Sequence, residues 1–386
     1  MSAPVQQPMP AAGREYGLDW LRVFAFGVLI FYHSGMAFVS WDWHLKNPEQ
    51  SKTLEYFMLL CNRWRLPLLF MISGAGVFFS LRRRSFGEFA GERLRRLLLP
   101  LVFGMFVIIP PQIYFERLYK GAQFSYAEFY PSVFQFVSYP AGSLSWHHLW
   151  FVAYILVFSL IGIPLFAFLR SEGGQRCVDA LVRTFERAPV LVYLINIPNI
   201  LVGVFLGPHW PNRNNLTSDW ANFTGTFVTF LWGFTIASNR GFLDLITRRR
   251  KEYAIAGVLV ACVFFGLRAS GVSGAWAPEV RLWVSNIVNG VFGMTWIFAM
   301  IGYARHHIRK PSARLKYATE AVYPFYIFHQ TVTVAAVYYV IPLHLGLVPK
   351  MLLVMAATFF GSWALTEMAR RSGPFRLLFG LKTERS

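Results

Sequence analysis

The sequence predicts an all-α protein, a helix bundle that crosses a membrane many times, and three observations predict it. Apolar residues make up 55% of the 386-residue chain and charged residues only 15%, which suits lipid rather than a large soluble core. Ten apolar runs are each long enough to span a bilayer. The lysines and arginines gather in alternate connections between those runs.

The runs cover roughly 17–39, 55–81, 95–115, 147–169, 189–207, 222–239, 252–268, 281–304, 320–342 and 349–370. One set of connections holds Arg82-Arg83-Arg84, Arg93 to Arg96, Arg170 to Arg187, Arg248 to Lys251, Arg305 to Lys316 and the tail from Arg370. With Arg14 it carries about 26 of the 37 Lys and Arg, against about 8 in the other set. Positive-inside asymmetry assigns the basic set, and with it both termini, to the cytoplasm. The net charge of +18 is thereby a matter of topology, and no nucleic-acid partner is expected. Met1 to Gly13 has no apolar core and cleavage site of its own, so the first helix is expected to act as the signal. No repeat or soluble insertion interrupts the pattern, which predicts one transmembrane domain over 1–386 with short tails.

Ionisable residues within spans carry the functional signal, because charge in a bilayer faces a protein interior or a water-filled cavity. The first run contains Asp19, Arg22 and His33. Arg22 and His33 are eleven residues apart, so they share a helix face about 16 Å apart along the axis. They are expected to mark two depths of one polar track crossing the bilayer, with Asp19 on the same side as a structural polar group. Arg63 and Arg65 interrupt the second run, and His329 lies inside the ninth. Ser73-Gly74-Ala75-Gly76 permits close helix approach or leaves room for a bound chain. Asn286 and Asn289 share a face of the eighth run and suit interhelical hydrogen bonds. Glu367 is expected to meet basic residues. His147 is expected to be solvated, and Arg82, Arg83 and Arg84 to serve topology alone.

Cys61, Cys177 and Cys262 are scattered, with neither metal nor disulfide spacing, and His306-His307 has no second cluster. No metal is expected. Asn215-Leu216-Thr217 and Asn222-Phe223-Thr224 satisfy the glycosylation pattern, which matters only in a eukaryotic secretory pathway. Aromatic residues crowd the other connections, from Trp41, Trp43 and His44 to the long segment Glu116 to Ser145. They suit a membrane interface or a surface for an amphipathic ligand such as a sugar.

Several landmarks, in order along the chain, resemble one family. Arg22-x10-His33 with the preceding Glu15-Tyr16-Gly17-Leu18-Asp19-Trp20-Leu21 is similar to the first-helix motif of the membrane acyltransferase-3 family. Trp64-Arg65-Leu66-Pro67, His148-Leu149-Trp150-Phe151, Tyr326-Ile327-Phe328-His329 and Gly373-Pro374-Phe375-Arg376-Leu377-Leu378-Phe379-Gly380 resemble its branch that succinylates periplasmic glucans. Arg93-x-x-Arg96 resembles the family's arginine pair before the third helix. The resemblance implies a multi-pass protein of a bacterial inner membrane. It would transfer an acyl group from cytoplasmic acyl-CoA, succinyl favoured and acetyl the alternative, to a hydroxyl of a periplasmic glucan or related carbohydrate. Acyl-CoA would be a substrate, with no tightly bound cofactor.

Within that frame His33 is the expected base, since a neutral imidazole suits proton removal from a hydroxyl. Arg22, Arg93 and Arg96 are expected at the phosphates of CoA. Arg65 would recognise the free carboxylate of a succinyl donor. His148, Trp150 and His329 are candidates for acyl or acceptor binding, and His148 or Glu116 for a partner of His33. A transporter or flippase of a glycan or lipid-linked sugar is the alternative, since intramembrane charges also serve ion paths.

Overall fold

The computed structural model describes residues 15–381; Arg14 and the outermost tails of the expected domain lie outside the described residues. The described chain is helical, with only an isolated bridge between Ser138 and Leu144 in extended pairing. The long helices are α1 (Tyr16–Gly35), α2 (Lys52–Leu81), α3 (Phe86–Tyr119) and the bent pair α4 (His147–Ile161) and α5 (Ile163–Arg170). There follow α6 (Glu172–Arg187), α7 (Pro189–Phe205), α8 (Trp220–Ser238) and α9 (Arg240–Arg248). The chain ends with α10 (Arg250–Ser270), α11 (Pro278–His307), α12 (Ala313–Val340), α13 (Leu347–Arg371) and α14 (Gly373–Leu378).

Among the described residues six helices are long and apolar enough to cross a membrane, seven if α4 and α5 form one bent span. Ten were expected. The run 189–207 is shorter than a span and begins as a 3-10 helix before turning α-helical at Ile197. The runs 222–239 and 320–342 lie in the continuous helices α8 and α12. α12 is diluted by buried His329, Gln330 and Thr333 in its middle, which lower its apolarity while facing the bundle interior.

Prolines decide where helices deviate. Pro100 and Pro110 lack a backbone N–H and crowd the carbonyl four residues earlier. Before them α3 widens into π-helical turns at Leu94–Leu98 and Gly104–Ile108, yet it remains long and apolar enough to span and contains the expected run 95–115. Pro164 follows the break at Gly162, where α4 and α5 meet at 55°. Arg93 and Arg96, expected in a loop, are therefore part of a helix that begins at Phe86. Ser85 and Glu88 form a reciprocal capping box at its start.

Helix contacts sort the connections into two ends. At one, Arg305 binds Glu15 (2.9 Å) and Asp244 (3.3 Å), Arg376 binds Glu320 (3.1 Å) and Arg96 donates to the carbonyl of Gly380 (3.1 Å). At the other, Tyr119 donates to the carbonyl of Lys46 (2.7 Å) and Lys350 reaches Asn47 (3.3 Å). The expected partition of basic connections follows this division. Glu367 meets Arg370 at 2.7 Å, as expected. Asn286 bonds instead to its own helix at the Leu282 carbonyl (2.9 Å), contrary to the interhelical role expected of it.

α2 and α8 approach through glycines. A Cβ on Gly74 would lie 1.8 Å from the Phe230 carbonyl oxygen, and one on Gly233 would lie 1.9 Å from that of Met71. The contact seats the buried aromatic layer of Phe70, Phe158, Phe166, Phe230 and Phe234. Gly74→Val is expected to lower stability by at least about 2 kcal/mol by overpacking. The fall should appear in the melting temperature of detergent-solubilised protein, with Gly87→Ala, where nothing lies within 4 Å, as the unaffected control.

Candidate active site

A cavity of about 520 Å³ opens among α1, α2, α3, α4 and α12 at the basic end. Arg22, Arg83, Arg84, Arg93 and Arg96 line it with a single carboxylate, Glu92. Glu92 pairs with Arg84 and Arg96, each at 3.2 Å. The Arg93 guanidinium lies over the Phe89 ring (4.8 Å), and its buried Nε has no hydrogen-bond partner. The surplus of guanidinium groups suits a multiply charged anion such as a phosphate ester. Arg22, Arg93 and Arg96 are thus brought together as expected. Arg83 and Arg84, assigned to topology alone, line the cavity as well, a role their common charge run hid.

The Ser73-Gly74-Ala75-Gly76 stretch permits the close helix approach considered for it and also borders the cavity. Gly74 packs on α8, while Ser73 and Gly76 form cavity wall, with Arg22 Nη2 3.4 Å from where a Gly76 Cβ would sit. The Gly373–Gly380 ending also has a structural role. Gly380 adopts φ +64°, where a Cβ would lie 2.7 Å from the Arg96 carbonyl oxygen, and Phe379 packs on Phe103 and Phe328.

The cavity ends on Phe26, Phe151 and Tyr326. The expected open track from Arg22 to His33 is interrupted there, because the ring of Phe26 meets Tyr326 at 5.1 Å and Phe151 at 6.4 Å. His33 lies beyond this floor in a cluster of three imidazoles. His329 stands 5.1 Å from His33 and 5.2 Å from His148, centroid to centroid. The Tyr326 ring stacks on His329 at 5.5 Å, and its hydroxyl donates to the His148 carbonyl.

The partners of these rings assign their protons. His329 Nδ1 lies 2.5 Å from the Tyr326 carbonyl oxygen and must donate to it, which leaves Nε2, buried and without a partner, as the free acceptor of the neutral ring. His148 donates from Nε2 to the Ile327 carbonyl (3.1 Å) and accepts at Nδ1 from Gln112 (3.4 Å). His33 Nδ1 is also buried without a partner. The Arg65 side chain, 3% exposed, lies with its guanidinium 3.6 Å above the Tyr32 ring, and its Nε and Nη1 are buried without hydrogen bonds.

The expected pairing of His33 with Glu116 or by hydrogen bond to His148 is not observed. Glu116 instead anchors a network at the far end, accepting from His44 (2.5 Å), Lys120 (2.6 Å) and Tyr139 (2.7 Å). Burial and its donation to Glu116 push the Tyr139 phenol up, so it stays a proton donor at neutral pH. Gln330 joins His44 (3.3 Å) to Gln112 (3.2 Å), and Gln112 leads on to His148. A polar chain therefore runs from the histidine cluster to the far end of the bundle. Its members His44, Gln112 and Gln330 escaped sequence reasoning because glutamines and a loop histidine carry no distinctive spacing.

His147, expected to be solvated, is half-buried and stacked on His44 at 4.8 Å, with Ser145 Oγ 2.6 Å from its Nδ1. Donor atoms of His44, Glu116 and His147 lie within 4.8 Å of one another, near enough to share a metal ion. The carboxylate of Glu116 is already occupied by three donors, including the Lys120 ammonium, which favours the hydrogen-bonded arrangement. Trp150, a candidate for acyl or acceptor binding, is half-buried and packs against Tyr154 (5.0 Å) and Phe70 (6.0 Å). Asp19 is half-buried in the first turn of α1 and is not among the cavity's lining residues.

A bundle of apolar helices around an arginine-lined cavity and a buried histidine cluster describes a multi-pass membrane protein with a polar interior. The family model described as an acyltransferase domain matches residues 15–367, and the chain belongs to that family, acyltransferase-3. Its relatives include the glucans biosynthesis protein C of Escherichia coli strain K12 and that of strain SMS-3-5. Each is 22% identical over 343 residues, covering 87% of this chain and 86% of the relative. No solved structure matches the chain.

The Glu116 network is testable apart from activity. Glu116→Gln removes the buried charge that His44, Lys120 and Tyr139 surround, and is expected to cost about 3 kcal/mol of stability. Denaturation of the purified variant against wild type measures it.

Proposed function

We propose that this protein is an integral-membrane O-acyltransferase that moves an acyl group, succinyl favoured over acetyl, from cytoplasmic acyl-CoA to a hydroxyl of a periplasmic glucan or related carbohydrate. The observation that carries this is the placement of two unsatisfied polar stations on either side of one aromatic floor. At the basic cavity the buried Nε of Arg93 has no partner; beyond the floor the same holds for His33 Nδ1, His329 Nε2 and the Nε and Nη1 of Arg65. The glucan acceptor is suggested by the names of the relatives.

In this scheme ten segments cross the bacterial inner membrane and both termini are cytoplasmic, so the basic cavity faces the compartment that holds acyl-CoA. Arg22, Arg93 and Arg96, joined by Arg83 and Arg84, bind the phosphates of CoA. Phe26 and Tyr326 swing aside to admit the acyl-pantetheine arm, because the cavity closes on them. His33 removes the acceptor hydroxyl proton, and the oxygen attacks the thioester carbonyl. Collapse of the tetrahedral intermediate breaks the C–S bond, and the departing thiolate takes the proton from the imidazolium. His329 and His148 shape the acceptor side. Arg65 pairs with the distal carboxylate of a dicarboxylic donor, which would satisfy its buried donors.

Purified protein given succinyl-CoA and a glucan acceptor should release free thiol. His33→Ala, folded as wild type, should lower that rate at least about 100-fold; an unimpaired rate would remove His33 from the chemistry. The role of Arg65 is tested by comparing donors. Arg65→Lys should reduce kcat/KM for succinyl-CoA roughly tenfold more than for acetyl-CoA, since the bidentate fork is lost, and equal losses would refute carboxylate recognition.

A further inference from the structure

We propose that a second cavity, at the end of the bundle opposite the arginine-lined one, binds the phosphate and one acyl chain of an anionic phospholipid. This groove of about 560 Å³ lies between α10 and α11 and is closed at the top by the connection 271–277. Its polar wall is made by three arginines from three helices, Arg63 of α2, Arg268 of α10 and Arg281 of α11.

The positive charge there is largely unanswered. Arg268 has one ion pair, to Glu55 at 3.5 Å. That carboxylate is shared, since its other oxygen accepts from Ser40 at 2.6 Å. Arg63 rests over the Phe264 ring at 5.0 Å, and its Nε is buried without a hydrogen-bond partner. Arg281 is exposed and its side chain makes no hydrogen bond or ion pair among the described residues. The first turn of α11 begins at Pro278 in the same wall and adds the positive end of a helix dipole. Together these groups fit a phosphate.

The rest of the groove selects a lipid rather than a soluble anion. Beside the arginines much of the wall is apolar, with Phe264, Leu267, Leu282, Val284 and Val288, a surface that a free phosphate would leave empty, while Ser285 and Asn289 add polar groups to it. Trp276 stands at the mouth, the level at which indoles sit at a membrane interface. The outer flank beside it, Val258, Leu259 and Val263 of α10 with Ile287 of α11, is exposed and apolar, so in a spanning chain the groove runs along lipid. A basic pocket between spanning helices, open to lipid and carrying an acyl-sized apolar track, matches an anionic headgroup with its chain. A zwitterionic lipid carries no net charge to answer the arginines.

The test is native mass spectrometry of the full-length protein in detergent, titrated with phosphatidylglycerol, phosphatidylcholine or glycerol 3-phosphate. Wild type should bind phosphatidylglycerol roughly tenfold more tightly than phosphatidylcholine. Arg268→Gln with Arg281→Gln should remove that preference, and Arg268→Lys with Arg281→Lys should keep most of it. Should the glutamine pair fold poorly, Arg281→Gln alone, at an exposed position, should weaken phosphatidylglycerol binding by about threefold. Equal affinity of wild type for both lipids, or unchanged phosphatidylglycerol binding in the glutamine variants, overturns the proposal. So does binding of glycerol 3-phosphate as tight as that of the lipid, which would give the groove to a soluble anion. None of these arginines lies at the site proposed for acyl transfer, so either conclusion can fail without the other.

Discussion

Within an apolar bundle no solvent or lipid tail can satisfy a polar group, so each must be met by another part of the chain. That constraint organises this protein. Hydroxyls turn back on their own helices, as Thr229 does to the Gly225 carbonyl (2.9 Å) and Thr333 to that of His329 (2.7 Å). The glutamines of α3 and α12 bridge from one histidine to the next. Unanswered groups on His33, His329 and Arg65 lie on one side of the Phe26, Phe151 and Tyr326 floor, and that of Arg93 on the other. Unmet hydrogen-bonding capacity on both sides of a thin aromatic partition is the feature on which the proposed transfer rests.

Two helices supply both sides. α3 carries Arg93 and Arg96 near its start and Gln112 and Glu116 near its end. α12 places Tyr323 and Tyr326 at the cavity, then His329 and Gln330 one turn further along. The π-turns that precede Pro100 and Pro110 add residues to α3 without ending it. They change which side chains face inward between its two stations. The prolines thus shape the site without touching it.

Much of the architecture was legible along the chain because hydropathy and charge alternation are local properties. Apolar length announced the helices, and the gathering of arginines in alternate connections anticipated the two ends that ion pairs such as Arg305 with Glu15 define. Helical spacing put Arg22 and His33 on one face of α1 but could not show the aromatic floor between them, and the family resemblance drew attention to Arg93, Arg96, Arg65, His148 and His329. Arg63 and Arg65, two positions apart in sequence, part company: one turns to the groove between α10 and α11, the other lies over the Tyr32 ring.

The sequence by itself determined that this chain is a helical membrane protein, which of its connections are basic and which ionisable residues lie within its apolar runs. Periodicity, run length and charge distribution need no knowledge of neighbours. Only the tertiary structure decided that Glu116 belongs to His44, that His329 stands between His33 and His148, and that aromatic rings close the path from Arg22. Those are contacts between residues tens to hundreds of positions apart, and their geometry is set by helix packing through Gly74 and Gly233 and by proline-induced breaks, which no local pattern encodes.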